Sequence, residues 1–99
     1  MPYRIEIEPQ AKEHLRGFSV HDRTIALKSM LEQLSPEPKM ETKNRKALRT
    51  NLIASWALRI GHIRVYYDVQ DSPDAIVRVL AVGIKKGNRV WIGGEETQL

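Results

Sequence analysis

Two consecutive residues constrain this chain more than any others. Gly61-His62 stands between two segments in which apolar and polar residues alternate, the pattern of neighbouring half-buried strands. Glycine tolerates the positive φ that a tight type II′ hairpin turn asks of its first central residue. With these two as the loop, Ile60 lies opposite Ile63, Leu58 opposite Val65 and Trp56 opposite Tyr67. A slip of one residue would turn the three side chains of one strand away from those of the other, so the register is self-consistent. It also sets Arg59 directly across from Arg64 on the polar face. Like charges so placed repel one another. Two facing guanidiniums suit a site with an anion between them. The other outlets for their charge are open solvent, Asp68 or the Glu95-Glu96 pair.

The rest of the chain reads around this hairpin. Residues 3–8 alternate, with Tyr3, Ile5 and Ile7 on one side, and predict a first strand. Pro9 suits the first turn of a helix over residues 9–18, with Ala11, Leu15 and Phe18 on one face and a break near Gly17. Ser19, three residues before Asp22, predicts the cap of a second helix over residues 19–34. Its expected buried stripe is Val20, Thr24, Leu27, Leu31 and Leu34. Ser35-Pro36-Glu37-Pro38 stops it. Residues 40–52 are polar and basic and read as a loop. Strands follow over residues 55–60, 63–69 and 75–84. The last is apolar on both faces apart from Arg78, which predicts a central position in the sheet. Residues 70–74, containing Pro73, reverse the chain, and residues 85–99 carry no assignable pattern. The expectation is one α+β domain over residues 1–99: an N-terminal strand, a two-helix hairpin, and a three-strand antiparallel run packed on the helices.

A net charge of +4 and a pI near 9.6 in a 99-residue chain favour a polyanionic partner, although many small domains are mildly basic without one. The absence of cysteine excludes disulfides and thiolate zinc sites. His14, His21 and His62 are not spaced as metal ligands, so no metal and no cofactor is expected. No apolar run approaches the roughly 18 residues of a membrane span, and the first residues lack a signal-peptide pattern. A cytoplasmic protein is the simplest expectation.

Positive charge converges on the hairpin from separate segments: Arg45, Lys46 and Arg49 before it, then Lys85-Lys86 and Arg89 after the last strand. Residues 44–88 are therefore the expected working half.

The same residues carry a family resemblance. Asn44-Arg45-Lys46-Ala47-Leu48, then Trp56-Ala57-Leu58-Arg59-Ile60-Gly61-His62-Ile63-Arg64-Val65-Tyr66-Tyr67-Asp68, then Arg78-Val79-Leu80-Ala81-Val82-Gly83, resemble the RelE/ParE toxins of bacterial toxin–antitoxin systems. The resemblance covers nearly the whole chain and is specific only over residues 44–83. It implies a cognate antitoxin as partner and, for RelE-like members, cleavage of mRNA on the ribosome. It implies DNA gyrase inhibition without ribonuclease activity for ParE-like members. A degenerate toxin would bind only its antitoxin and operator complex.

For the ribonuclease, the resemblance places Arg64 at the arginine of the family's Gly-x-x-Arg-Val segment, clamping the scissile phosphate. Lys85 falls where these enzymes have a basic residue after the last strand, a candidate for proton exchange among its cationic neighbours. Arg59 completes the catalytic set, while Arg45, Lys46 and Lys86 hold RNA phosphates. Trp91, where a tyrosine is frequent, can stack on a base but cannot transfer a proton. Ile84 replaces a frequent basic residue or histidine.

Overall fold

The structure, a computed structural model, describes residues 2–97. Its elements run β1 (Arg4–Ile7), α1 (Pro9–Arg16), α2 (Val20–Ser29) continued by a π-helical stretch (Met30–Leu34), β2 (Arg45–Ala47), β3 (Trp56–Ile60), β4 (Ile63–Gln70), β5 (Ile76–Lys86), β6 (Arg89–Ile92) and β7 (Glu95–Thr97). All seven strands form one sheet, ordered β2-β3-β4-β5-β6-β7, with β1 parallel to β5. The α+β class, the opening strand, the helical pair and the antiparallel β3–β4–β5 run match the expectation. The hairpin register is also the expected one, Arg59 facing Arg64 included. Gly61 has φ +57° and no described non-glycine residue has a positive φ, which fits type II′.

The helices cover one face of the sheet. Ala11 and Leu15 from α1, with Ala26, Met30 and Leu34 from the second helical segment, pack on Leu58, Ile63, Val65, Tyr67, Val77 and Val79. Tyr67, fully buried, donates from its hydroxyl to the Pro38 carbonyl (2.7 Å), so the proline-rich break is tied to the core. Trp56 stacks on Tyr67 across the β3–β4 pair, ring centres 6.2 Å apart. The opposite face is only partly covered. There Leu48, Ile53 and Ala54 fold over Ala57, Tyr66 and Ala81.

Three expectations need correction. The buried face of α2 is Ala26, Met30 and Leu34, whereas Val20, Leu27 and Leu31 are exposed at 72%, 38% and 63%. Two apolar stripes compete on this segment: Leu34 of the expected one is buried, but otherwise the stripe through Ala26 and Met30 turns inward. Within residues 40–52, Arg45–Ala47 pairs with β3 as a short edge strand. Beyond β5, the chain makes two further hairpins. Lys86 faces Arg89 around Gly87-Asn88, and Ile92 faces Glu95 around Gly93-Gly94.

β5 has β4 along one side, broken by a bulge at Tyr66/Tyr67. On its other side β1 covers Ile76–Val79 and β6 covers Gly83–Lys86. The gap between them leaves strand groups without a strand partner. His14 fills it: the Val82 N–H donates to His14 Nδ1 (3.3 Å). The accepting nitrogen must be unprotonated, and burial lowers the His14 pKa from 6.5.

This has a sign. Above about pH 6.5 the imidazole is neutral in both folded and unfolded chains, and its contribution to stability is complete. As pH falls below that value the unfolded chain takes up the proton first, so stability declines until the folded-state pKa is passed. Urea unfolding across this acidic window should show the decline in the native protein and a reduced decline in His14→Gln.

Candidate anion-binding cleft

Strand register sorts the predicted cations by face. Lys46 pairs with Ala57, Arg59 with Arg64, and Arg64 with Gly83, two residues before Lys85. Lys46, Arg59, Arg64 and Lys85 therefore share the face away from the helices. Arg45 pairs with Leu58, and Trp91 with Ile84, so they belong to the helix-covered side, as does Lys86 by alternation.

Arg64 is the centre of the shared face. It is 8% exposed, the one buried charged residue among the described residues. Its Nη1 donates to the carbonyls of Gly61 (2.6 Å) and Ile63 (2.9 Å), so the hairpin turn that sets the register also holds the guanidinium. Three of the five donors of an arginine remain. No carboxylate within 4.0 Å pairs with Arg64 among the described residues. Burial, then the facing Arg59, lower its pKa from the ordinary arginine value; an arginine nonetheless stays charged. A buried cation without a counter-ion is costly unless something pairs with it. The arrangement can therefore accept an anion with little further desolvation of the protein.

Arg64 lines a cleft of about 700 Å³ with Lys85, Asn88, Arg89, Glu96 and Thr97. Gly83, opposite Arg64, is what lets β6 close beside it: a Cβ there would lie 2.7 Å from the Trp91 carbonyl oxygen. Arg89 was expected among the converging cations, and Glu96, a possible partner of the arginine pair, pairs with Arg89 instead (3.4 Å); Asn88 and Thr97 were not anticipated from sequence. The signal was present in Gly87-Asn88 and Gly93-Gly94, both favoured hairpin pairs.

The remaining predicted residues divide clearly. Arg59 is exposed beside the cleft, and its side chain has no partner among the described residues. Arg45 is a structural residue: Nη1 donates to Gln33 O (2.7 Å) and Nε to Met40 O (3.0 Å), tying β2 to the end of the helices. Lys86 and Trp91 line a separate hollow with His14, Phe18 and Ile84. Arg78 pairs with Glu6 (2.7 Å) and stays out of the cleft. Asp68 accepts from the Ser55 N–H (2.7 Å), so it is not the partner of the arginine pair. Tyr66 is 2% exposed and packs in the smaller apolar cluster. His62 contacts Asp22 (3.1 Å) on α2. Among the described residues no group of three or more His, Asp or Glu could hold a metal, and no helix is long and apolar enough to cross a membrane.

No family model and no curated protein matches this sequence. The fold does match a solved structure, a chain of the RelBE2 toxin–antitoxin complex from Mycobacterium tuberculosis. The TM-score is 0.75 over 86% of this chain and 93% of that one, at 24% identity. The chain has a RelE-like fold. Within that fold the arginine pair stands on the central β3–β4 hairpin, and the β5–β6 hairpin walls the cleft.

Arginines of the two kinds should respond differently to removal. Arg45→Ala should cost about 1.5–3 kcal/mol in urea unfolding, the range for hydrogen bonds to a charged group. Arg59→Ala should stay within about 0.5 kcal/mol of the native protein, as exposed sites do.

Proposed function

We propose that this chain is the toxin of a type II toxin–antitoxin pair and acts as a ribosome-dependent mRNA endoribonuclease. The observation that carries the reading is Arg64, buried, pinned by its turn and unpaired in a cationic cleft. The RelE-like fold, found in a toxin–antitoxin complex, supports both the toxin assignment and an antitoxin as partner.

Such cleavage begins with a ribose 2′-hydroxyl, its proton passing to solvent, attacking the adjacent phosphate to close a 2′,3′-cyclic phosphate. The phosphate passes through a pentacoordinate state with more negative charge, and the 5′-oxygen leaves as it gains a proton. Arg64 offers its free donors to the phosphate oxygens where that charge grows, and the turn carbonyls keep it from having to reorganise. Lys85, half-buried in the same cleft, carries a proton suited to the leaving 5′-oxygen. Arg59 and Lys46 hold flanking phosphates along the open face. Arg45 serves the fold, and Lys86 and Trp91 lie outside this scheme.

Induced alone in bacteria, the protein should arrest growth, and co-expression of its antitoxin should restore it. Primer extension on a translated message should show cuts within codons, reduced by roughly 10²–10³-fold in Arg64→Ala, the scale for loss of a preorganised oxyanion donor. Intact messages beside trapped gyrase–DNA complexes would contradict the ribonuclease and favour the gyrase inhibitor. No effect on growth at high expression would favour a toxin that only binds its antitoxin.

A further inference from the structure

One exposed apolar side chain is held in place by a dense set of hydrogen bonds. Leu52 is fully exposed at the tip of the segment joining β2 to β3. Asn51 knots that segment: its side-chain amide donates to Arg49 O (2.7 Å) and Ala54 O (2.9 Å), and its Oδ1 accepts from the N–H groups of Ile53 (2.7 Å) and Ala54 (3.0 Å). Ser55 N–H on Asp68 anchors the far end to β4. A fully exposed leucine on a loop this firmly tied is set up to touch something outside the chain.

The loop forms one wall of a slot of about 280 Å³. Leu52, Ile53, Leu80, Ala81 and Ile92 are its apolar lining. Gln10 and His14 of α1 are its polar members, apart from Thr97. Thr97 also lines the Arg64 cleft, so slot and cleft adjoin. Ile92 pairs with Gly83, which itself pairs with Arg64, and both hollows therefore open on the same face. His14 Nδ1 is occupied by the Val82 N–H, which puts the ring proton on Nε2. The exposed Gln10 amide makes no side-chain hydrogen bond among the described residues.

We propose that this slot is a nucleobase subsite, occupied by a base next to the phosphate held at Arg64, with Gln10 reading the base edge. The inference rests on the RNA-cleaving reading above. Aliphatic walls closed by a few polar groups are the usual make-up of a small-ligand site. A base presents apolar faces and a hydrogen-bonding edge, as single-stranded RNA recognition requires. A primary amide can both donate and accept, the pairing that glutamine makes with adenine. The negative charge stays in the cleft and the uncharged ring enters the slot, so the two hollows divide one nucleotide between them. Leu52 then packs on the ring, which accounts for its exposure in the free protein.

Gln10→Ala and Leu52→Ser alter exposed side chains outside the core and leave the phosphate clamp intact. Cut-site profiles on a mixed-sequence message should show Gln10→Ala relaxing base preference at one position by roughly tenfold, through loss of cutting at the favoured base. Leu52→Ser should weaken cutting at all bases of that position. Binding of short 2′-O-methyl RNAs, which cannot be cut, provides the second measurement. Native protein should discriminate oligomers differing at one base, and Gln10→Ala should not. An unchanged profile and unchanged binding in Gln10→Ala would overturn the subsite while leaving the ribonuclease standing. So would antitoxin binding weakened by Gln10→Ala while RNA selection stays the same. If the native protein neither cuts nor binds RNA, the ribonuclease reading and the subsite fall together.

Discussion

Two hydrogen bonds from Arg64 Nη1 to the carbonyls of Gly61 and Ile63 join the fold of this protein to its chemistry. The turn places Arg59 and Arg64 face to face, and the same turn then draws the second guanidinium inward. A paired arrangement that would only repel becomes one fixed, buried cation and one exposed cation. The fixed one is buried without a carboxylate, an arrangement that costs stability in the empty protein. Natural chains retain such costs most often where a charge is to be met from outside.

Around that point the sheet sorts residues by parity. Lys46, Arg59, Arg64 and Lys85 came to one face because each is the cross-strand partner of the next or stands two positions along the strand from that partner. Lys86, one residue beyond Lys85, lies with Trp91 on the other side. Adjacent cations in sequence thus serve different surfaces. Arg45 shows a second filter: a basic residue in a basic segment is here consumed by the fold, through the Gln33 and Met40 carbonyls.

The hairpin, the opening strand and the class of fold were legible because period-two alternation and a Gly-led turn are local signals. The site was half legible. Arg59 and Arg64 could be brought together by counting from one turn, and Lys85 was added by the family resemblance, but the cleft wall needed β6 and β7. Their turns, Gly87-Asn88 and Gly93-Gly94, carry the right chemistry, yet the strands between them are only four and three residues long and hardly alternate. The facing of α2 failed for a different reason. Its sequence offers two apolar stripes, and only the sheet beneath decides that Ala26 and Met30 go inward. His14 could not be assigned a partner at all, since the Val82 N–H becomes available only through the gap between β1 and β6.

The central claim is that buried Arg64 is a seat for a phosphate. A ligand that binds only the folded chain raises its melting temperature with concentration. Thermal unfolding in increasing inorganic phosphate, at fixed ionic strength, should raise the Tm of the native protein and leave Arg64→Met flat, with Arg64→Met at least as stable as the native protein in phosphate-free buffer. An equal rise in both proteins would mean that the phosphate binds elsewhere, and would contradict the account.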